Sequence, residues 1–141
     1  MSIRIDGYHT IYKDSSYYCG PGPSVVVDEE GLITVAFRRV RSWLAEGHSG
    51  HWHPGTELCL TRSADGGQSW SIPQVFLGGY QCPCLTLLRD GTLIHSTHKM
   101  ELAREEVVDG CPQVRGVHTG SWPGIHCGTA IWRSGDQGST W

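Results

Sequence analysis

The chain has 141 residues, enough for one ordinary domain, with a net charge of −3 and only 18% charged residues. That balance gives no electrostatic reason for a nucleic-acid or anionic-membrane partner, and no apolar run approaches the ~20 residues that span a bilayer. Nineteen glycines, seven prolines and six tryptophans describe instead a turn-rich, ordered, all-β chain.

In chain order, the opening Met1-Ser2-Ile3-Arg4-Ile5-Asp6 lacks the apolar core of a secretory leader. A cytoplasmic protein is the default expectation, with a secreted one open if sequence precedes Met1. Residues 3–12 read as an outer strand. Residues 24–27 form a β-rich run that enters a turn bearing Asp28 and Gly31, and a second run, 32–37, leaves it. A long polar stretch follows. A third run, 57–62, leads into Ser63-Ala64-Asp65-Gly66-Gly67-Gln68-Ser69-Trp70, and residues 71–77 supply a fourth strand. The pattern then restarts, with runs at 84–88 and 92–96, a second long stretch, a run at 129–133, and Ser134-Gly135-Asp136-Gln137-Gly138-Ser139-Thr140-Trp141. Within the second long stretch, residues 100–108 have the composition of a short helix; nothing else has helical period.

The two octets fit S-x-D-x-G-x-[ST]-W, and each follows an arginine, Arg62 or Arg133. Upstream, Pro23 and Pro83 each precede the turn glycine, Gly31 or Gly91, by eight residues. Such self-similarity decides the fold before any single element does. The octet has a physical logic. Its glycine accepts the positive φ of a tight turn, its aspartate and serine accept bonds from turn amides, and its tryptophan packs on a neighbouring sheet. Ser63, Asp65, Gly67, Trp70, Ser134, Asp136, Gly138 and Trp141 are therefore expected to stabilise structure rather than do chemistry.

At these residues the sequence resembles the sialidases (neuraminidases) and related proteins with Asp-box, or BNR, repeats. The resemblance covers roughly residues 17–141 and implies an all-β, six-bladed propeller, of which this chain holds about two four-stranded antiparallel blades. The first blade spans 17–77, with its Asp box at 63–70. The second spans 78–141 and is truncated after its box at 134–141. A pair of blades leaves broad sheet faces uncovered, so an N-terminal fragment of a longer protein is expected, inactive by itself, with self-assembly as the alternative. The implied activity is that of an exo-α-sialidase-type glycoside hydrolase; the alternative is a non-catalytic propeller module that binds carbohydrate or protein.

Up-and-down topology gathers the long loops on one side of the sheets, where function concentrates. Sialidases grip the substrate carboxylate with arginines and use a tyrosine nucleophile with an acidic acid/base. The family's first arginine position holds Pro21 here, and the loop that would carry its acidic aspartate offers Glu46 instead. Glu46 is the catalytic candidate, and Arg38, Arg39, His51, His53 and Tyr80 are the substrate-binding candidates. Because strand side chains alternate, only one of Arg38 and Arg39 is expected to face a central channel. Trp43, Trp52 and Trp122 are suited to stacking on sugar faces. His48, His51 and His53 are expected to be solvated or hydrogen-bonding rather than metal ligands, and no metal or cofactor is implied. The six cysteines, including the pair in Cys82-Pro83-Cys84, lack zinc-site spacing and read as buried free thiols before disulfides. The expected partners are a glycan and further blades, not nucleic acid or membrane.

Overall fold

A computed structural model describes residues 7–20, 22–41, 53–102 and 124–141. Among them are eight strands and no helix: β1 (Tyr17–Cys19), β2 (Ser24–Val27), β3 (Ile33–Arg41), β4 (Glu57–Ser63), β5 (Gln74–Gly78), β6 (Tyr80–Leu87), β7 (Leu93–Leu102) and β8 (Gly124–Ser134). The first five form one antiparallel sheet and the last three another. No helix among the described residues is long and apolar enough to cross a membrane.

In the first sheet, β1 and β2 both pair with β3, end to end along its length: Cys19 lies opposite Arg39 and Ser24 opposite Ala36. The sequence pattern marked only β2 as a strand here. The break between the two pieces falls at 20–23, where two glycines and two prolines deprive the backbone of ladder geometry and donors. Residues 7–12 pair with neither sheet, and residues 3–6 of the expected outer strand lie outside the described residues. In the second sheet, β7 and β8 are longer than their apolar cores. Met100, Glu101 and Leu102 continue the ladder opposite His126, Ile125 and Gly124. Those three residues are therefore extended, not the start of a helix, because cross-strand pairing overrides a weak local preference. Residues 103–108 of that expected helix lie outside the described residues.

Alternation divides the first sheet into two buried faces. One carries Val35, Phe37 and Cys59, joined by Tyr12, Ile33 and Trp70. The other carries Ala36 and Leu60 and meets Leu85 of the second sheet, with Val26, Phe76 and Trp141 packed around them. The two sheets thus pack face to face. The second octet is part of that contact: Trp141 stacks on Phe76 at a ring separation of 5.3 Å, and the Arg62 guanidinium donates to the Gln137 carbonyl. Gly138 has φ +86°, and a Cβ there would lie 2.7 Å from Leu60 Cδ1. Glycine is required at this point twice over, by the turn and by the neighbouring sheet.

The octets form the same closed loop. In the first, the Asp65 carboxylate accepts from the Ser69 amide (2.9 Å), the Ser69 hydroxyl (2.5 Å) and the Ser63 hydroxyl (2.7 Å), while Gly67 N–H donates to Ser63 Oγ (2.8 Å). In the second, Asp136 accepts from the Thr140 amide (2.9 Å), the Thr140 hydroxyl (2.6 Å) and the Ser134 hydroxyl (2.6 Å), while Gly138 N–H donates to Ser134 Oγ (2.7 Å). These donors hold both carboxyls well below the usual carboxylate range, chiefly Ser69 for Asp65 and Ser134 for Asp136. Each aspartate is occupied in holding its turn.

All described cysteines are free thiols. Only Cys59 is buried, and burial pushes its thiol up to about 11. Cys19, Cys82, Cys84 and Cys127 are exposed, contrary to the expectation of buried thiols. The cause is local. Cys82 has φ +52° in a register shift between Gln81 and Cys84, and Cys84 points to the uncovered face of the second sheet. Cys111 lies outside the described residues.

Candidate functional site

The long connections leave from the ends of β3 and β7, so the residues that can form a site are those at these strand ends and on the β1–β2 and β5–β6 segments beside them. Glu46 and His51 lie outside the described residues, as do His48, Trp43, Trp52 and Trp122. Among the described residues no group of three or more potential metal ligands converges.

Arg38 and Arg39 are adjacent on β3 and diverge to opposite faces of the sheet. Arg39 is closed by its own sheet. Its Nε donates to Glu57 Oε2 at 2.7 Å, its Nη1 donates to the Tyr12 hydroxyl at 2.9 Å, and its guanidinium lies 4.0 Å from the centre of the Tyr17 ring. Burial works against its charge, but the Glu57 and Tyr12 bonds outweigh this and raise its pKa. An arginine so paired positions the 12–17 segment and has little left to offer a ligand.

Arg38 points into the junction between the two sheets. It is 4% exposed, and its Nη1 donates to Gln81 Oε1 at 2.8 Å. Burial lowers its pKa from the ordinary arginine value. Gly20, at the end of β1, makes room for it: a Cβ on Gly20 would collide with the guanidinium. The Gly20 amide also donates to the Arg38 carbonyl at 3.1 Å. Gln81 is itself buried, at 1% exposure. Its carbonyl accepts from the Thr97 hydroxyl, and its Nε2 has no partner among the described residues. The register shift at Cys82-Pro83 is what turns Gln81 toward Arg38. The two side chains leave β3 on opposite faces, as alternation requires.

His53 is buried at the entry to β4, where its Nδ1 accepts from the Gly55 amide at 3.0 Å and its carbonyl accepts from the Thr56 hydroxyl at 2.6 Å. It organises the 53–56 turn. Tyr80 opens β6 and meets Trp132 edge to face, with ring centres 6.2 Å apart. On the second sheet, the His98 and His126 rings lie 5.2 Å apart, and Lys99 pairs with Glu101. The structure thus brings Arg38 together with Gln81 and Gly20 and separates it from Arg39, His53 and Tyr80. Gln81 stands in the sequence among the residues of the loop side, with Tyr17, Tyr18 and Tyr80, whereas Gly20 carries no site signal beyond the glycine- and proline-rich break.

No family model and no curated protein matches the chain. Among solved structures, it is similar to a protein of unknown function from Dyadobacter fermentans, with a TM-score of 0.73 and 28% identity over 93% of this chain. The alignment covers 36% of that protein, so this chain spans about a third of its length. A Hadza microbial sialidase aligns with a TM-score of 0.47 and 21% identity, over 84% of this chain and 22% of the sialidase. The stronger of these likenesses is to a protein with no assigned activity; the sialidase alignment is too distant to carry function.

Proposed function

We infer that the chain is two consecutive blades of a larger sialidase-like β-propeller. The loop end of their junction recognises an acidic or polyol group of a carbohydrate, and the parent domain acts as a glycoside hydrolase of the exo-α-sialidase type. The observation that carries this is the buried Arg38. Its guanidinium is oriented by Gln81, beside a glycine that leaves it space and an amide Nε2 that still offers a donor. A guanidinium fork matches a carboxylate or a pair of hydroxyls, and a dry setting strengthens each bond it makes. Glu46 is the proposed acid/base, and the glycan and further blades are the proposed partners.

A non-catalytic carbohydrate-binding module is the second reading. It is favoured by Glu57 and Glu101 on the loop side, each of which is ion-paired. The test uses the protein expressed in its native reading frame with fluorogenic glycosides, sialosides included, and a glycan array. Arg38→Met should weaken sugar recognition about 10- to 100-fold, the equivalent of losing a charge-assisted bond of about 1.5–3 kcal/mol. Turnover lost in Glu46→Gln supports the hydrolase, and binding without turnover supports the module. Neither binding nor turnover across the panel would overturn both.

A further inference from the structure

Near the loop end of β7 and β8 the ladder carries one extra residue. Lys99 lies opposite Gly128 and Met100 opposite His126, so Cys127 opposes no residue of β7. A bulge of this kind re-aims the side chain it frees, and Gly128 supplies the positive φ, +117°, beside it. The Cys127 thiol is exposed. It lies against two acceptors, the Ile125 carbonyl at 3.5 Å and the Glu101 carboxylate. The same carboxylate pairs with the Lys99 ammonium. Thiol, carboxylate and ammonium thus meet at one point, and neither the octets nor the proposed sugar recognition uses them together. Lys99 and Glu101 continue the alternate set of His95 and Thr97, which is buried toward the first sheet. The cluster is therefore on the inner, loop-end side of the second sheet and not on its outward face.

A thiolate is the form of cysteine that attacks an oxidant. Here a carboxylate is placed to accept the thiol proton, and an ammonium lies within electrostatic reach of the sulfur. We propose that Cys127 is a redox modification site: hydrogen peroxide oxidises its thiol, and Lys99 then closes a reversible sulfur–nitrogen bridge to it, with Glu101 taking the lysine proton. In the first step the sulfur attacks the peroxide and the O–O bond breaks. The thiol becomes a sulfenic acid, water leaves, and the two electrons that reduce the peroxide come from sulfur. In the second step the Lys99 ammonium yields one proton to Glu101, and its nitrogen attacks the sulfenic sulfur. The S–N bond forms, the S–O bond breaks, and the hydroxyl leaves as water with a second lysine proton. Two equivalents of a small thiol restore the amine and the free cysteine. The bridge ties β7 to β8 at the strand ends from which residues 103–123 leave and to which they return. This inference stands apart from the proposed function and takes nothing from it.

The test treats the native protein with hydrogen peroxide, blocks the remaining thiols and reads tryptic peptides by mass spectrometry without reductant. Residues 90–104, uncut after Lys99, should appear joined to residues 116–133. The joined pair should be lighter than the separate peptides by the two hydrogens lost, and dithiothreitol should part it. Lys99→Arg keeps the charge beside Glu101 but cannot form the bond. In that variant the joined pair should vanish, while a dimedone probe still traps sulfenic acid at Cys127. Glu101→Gln should slow bridge formation about 10-fold or more, the loss of a positioned proton acceptor. Both side chains are largely exposed, so the far-ultraviolet circular dichroism of each variant should match the wild type. A wild type without the joined pair, a bridge from Cys127 to any residue other than Lys99, or an unchanged rate in Glu101→Gln would overturn the proposal. Sugar binding plays no part in these readouts, so failure here leaves the proposed function standing, and the reverse.

Discussion

Substituting Gly138 with alanine tests the sheet junction with an internal control. Gly138 and Gly67 occupy the same place in the two octets and have nearly the same backbone, φ +86° and +91°. Placing a β-carbon in that conformation costs about 1–2 kcal/mol at either site. The surroundings differ. At Gly67 the new methyl would lie 3.7 Å from Trp70, an ordinary contact. At Gly138 it would lie 2.7 Å from Leu60 Cδ1, 3.1 Å from Arg62 Nη2 and 3.3 Å from Trp141. Overpacking of that kind adds about 1–3 kcal/mol. Gly67→Ala is therefore expected to cost about 1–2 kcal/mol and Gly138→Ala about 2–5 kcal/mol, measured by urea unfolding with unchanged slope. In a Leu60→Ala background the extra cost at Gly138 should largely vanish, because the obstructing methyl is gone. Equal costs at the two glycines, within about 0.5 kcal/mol, would refute the packing of the second octet against the first sheet.

Three further outcomes follow from the same geometry. His95 is fully buried between Phe76 and Trp141, and burial lowers its pKa to about 4. The unfolded chain, with a histidine pKa near ~6.5, binds this proton first, so the stability is present above that pH and is lost as pH falls toward 4, by about 3 kcal/mol. His95→Leu should flatten that part of a stability–pH profile, while the Asp65 and Asp136 contributions are lost only below about pH 4 in both proteins. Arg38→Met should cost about 1–3 kcal/mol by stranding buried Gln81 Oε1, and the Arg38→Met/Gln81→Leu pair should cost less than the sum of the single changes in a double-mutant cycle. Alkylation of the native protein near pH 8, read by peptide mass spectrometry, should label Cys19, Cys82, Cys84 and Cys127 and spare Cys59 until the chain is unfolded.

The all-β character and the paired antiparallel organisation were legible because two signals agreed. The proline-to-glycine spacing located the β2–β3 and β6–β7 hairpins, and the octet located the turn after β4 and the end of β8. Strand lengths were less legible. β3 and β7 extend well past the residues whose alternation announces them, since their outer halves are polar and are held by partners rather than by a buried stripe. β1 was hidden because three residues beside a proline–glycine break carry no period. The candidate site was legible only in part. Arg38 and Arg39 look alike in sequence, yet Glu57, Tyr12 and Tyr17 close one, while the other meets Gln81 across the junction. That difference depends on a register shift at Cys82-Pro83 and on a glycine 18 positions before Arg38, which no local pattern connects.

The junction of the two sheets depends on the second octet lying against the first sheet, and methyl-labelled nuclear Overhauser spectroscopy reads that contact directly. A cross-peak between the Gly138 α-protons and a Leu60 methyl, accompanied by one between the Trp141 and Phe76 rings, is the expected result. Assigned spectra in which Gly138 and Trp141 show contacts only within residues 124–141 would contradict it.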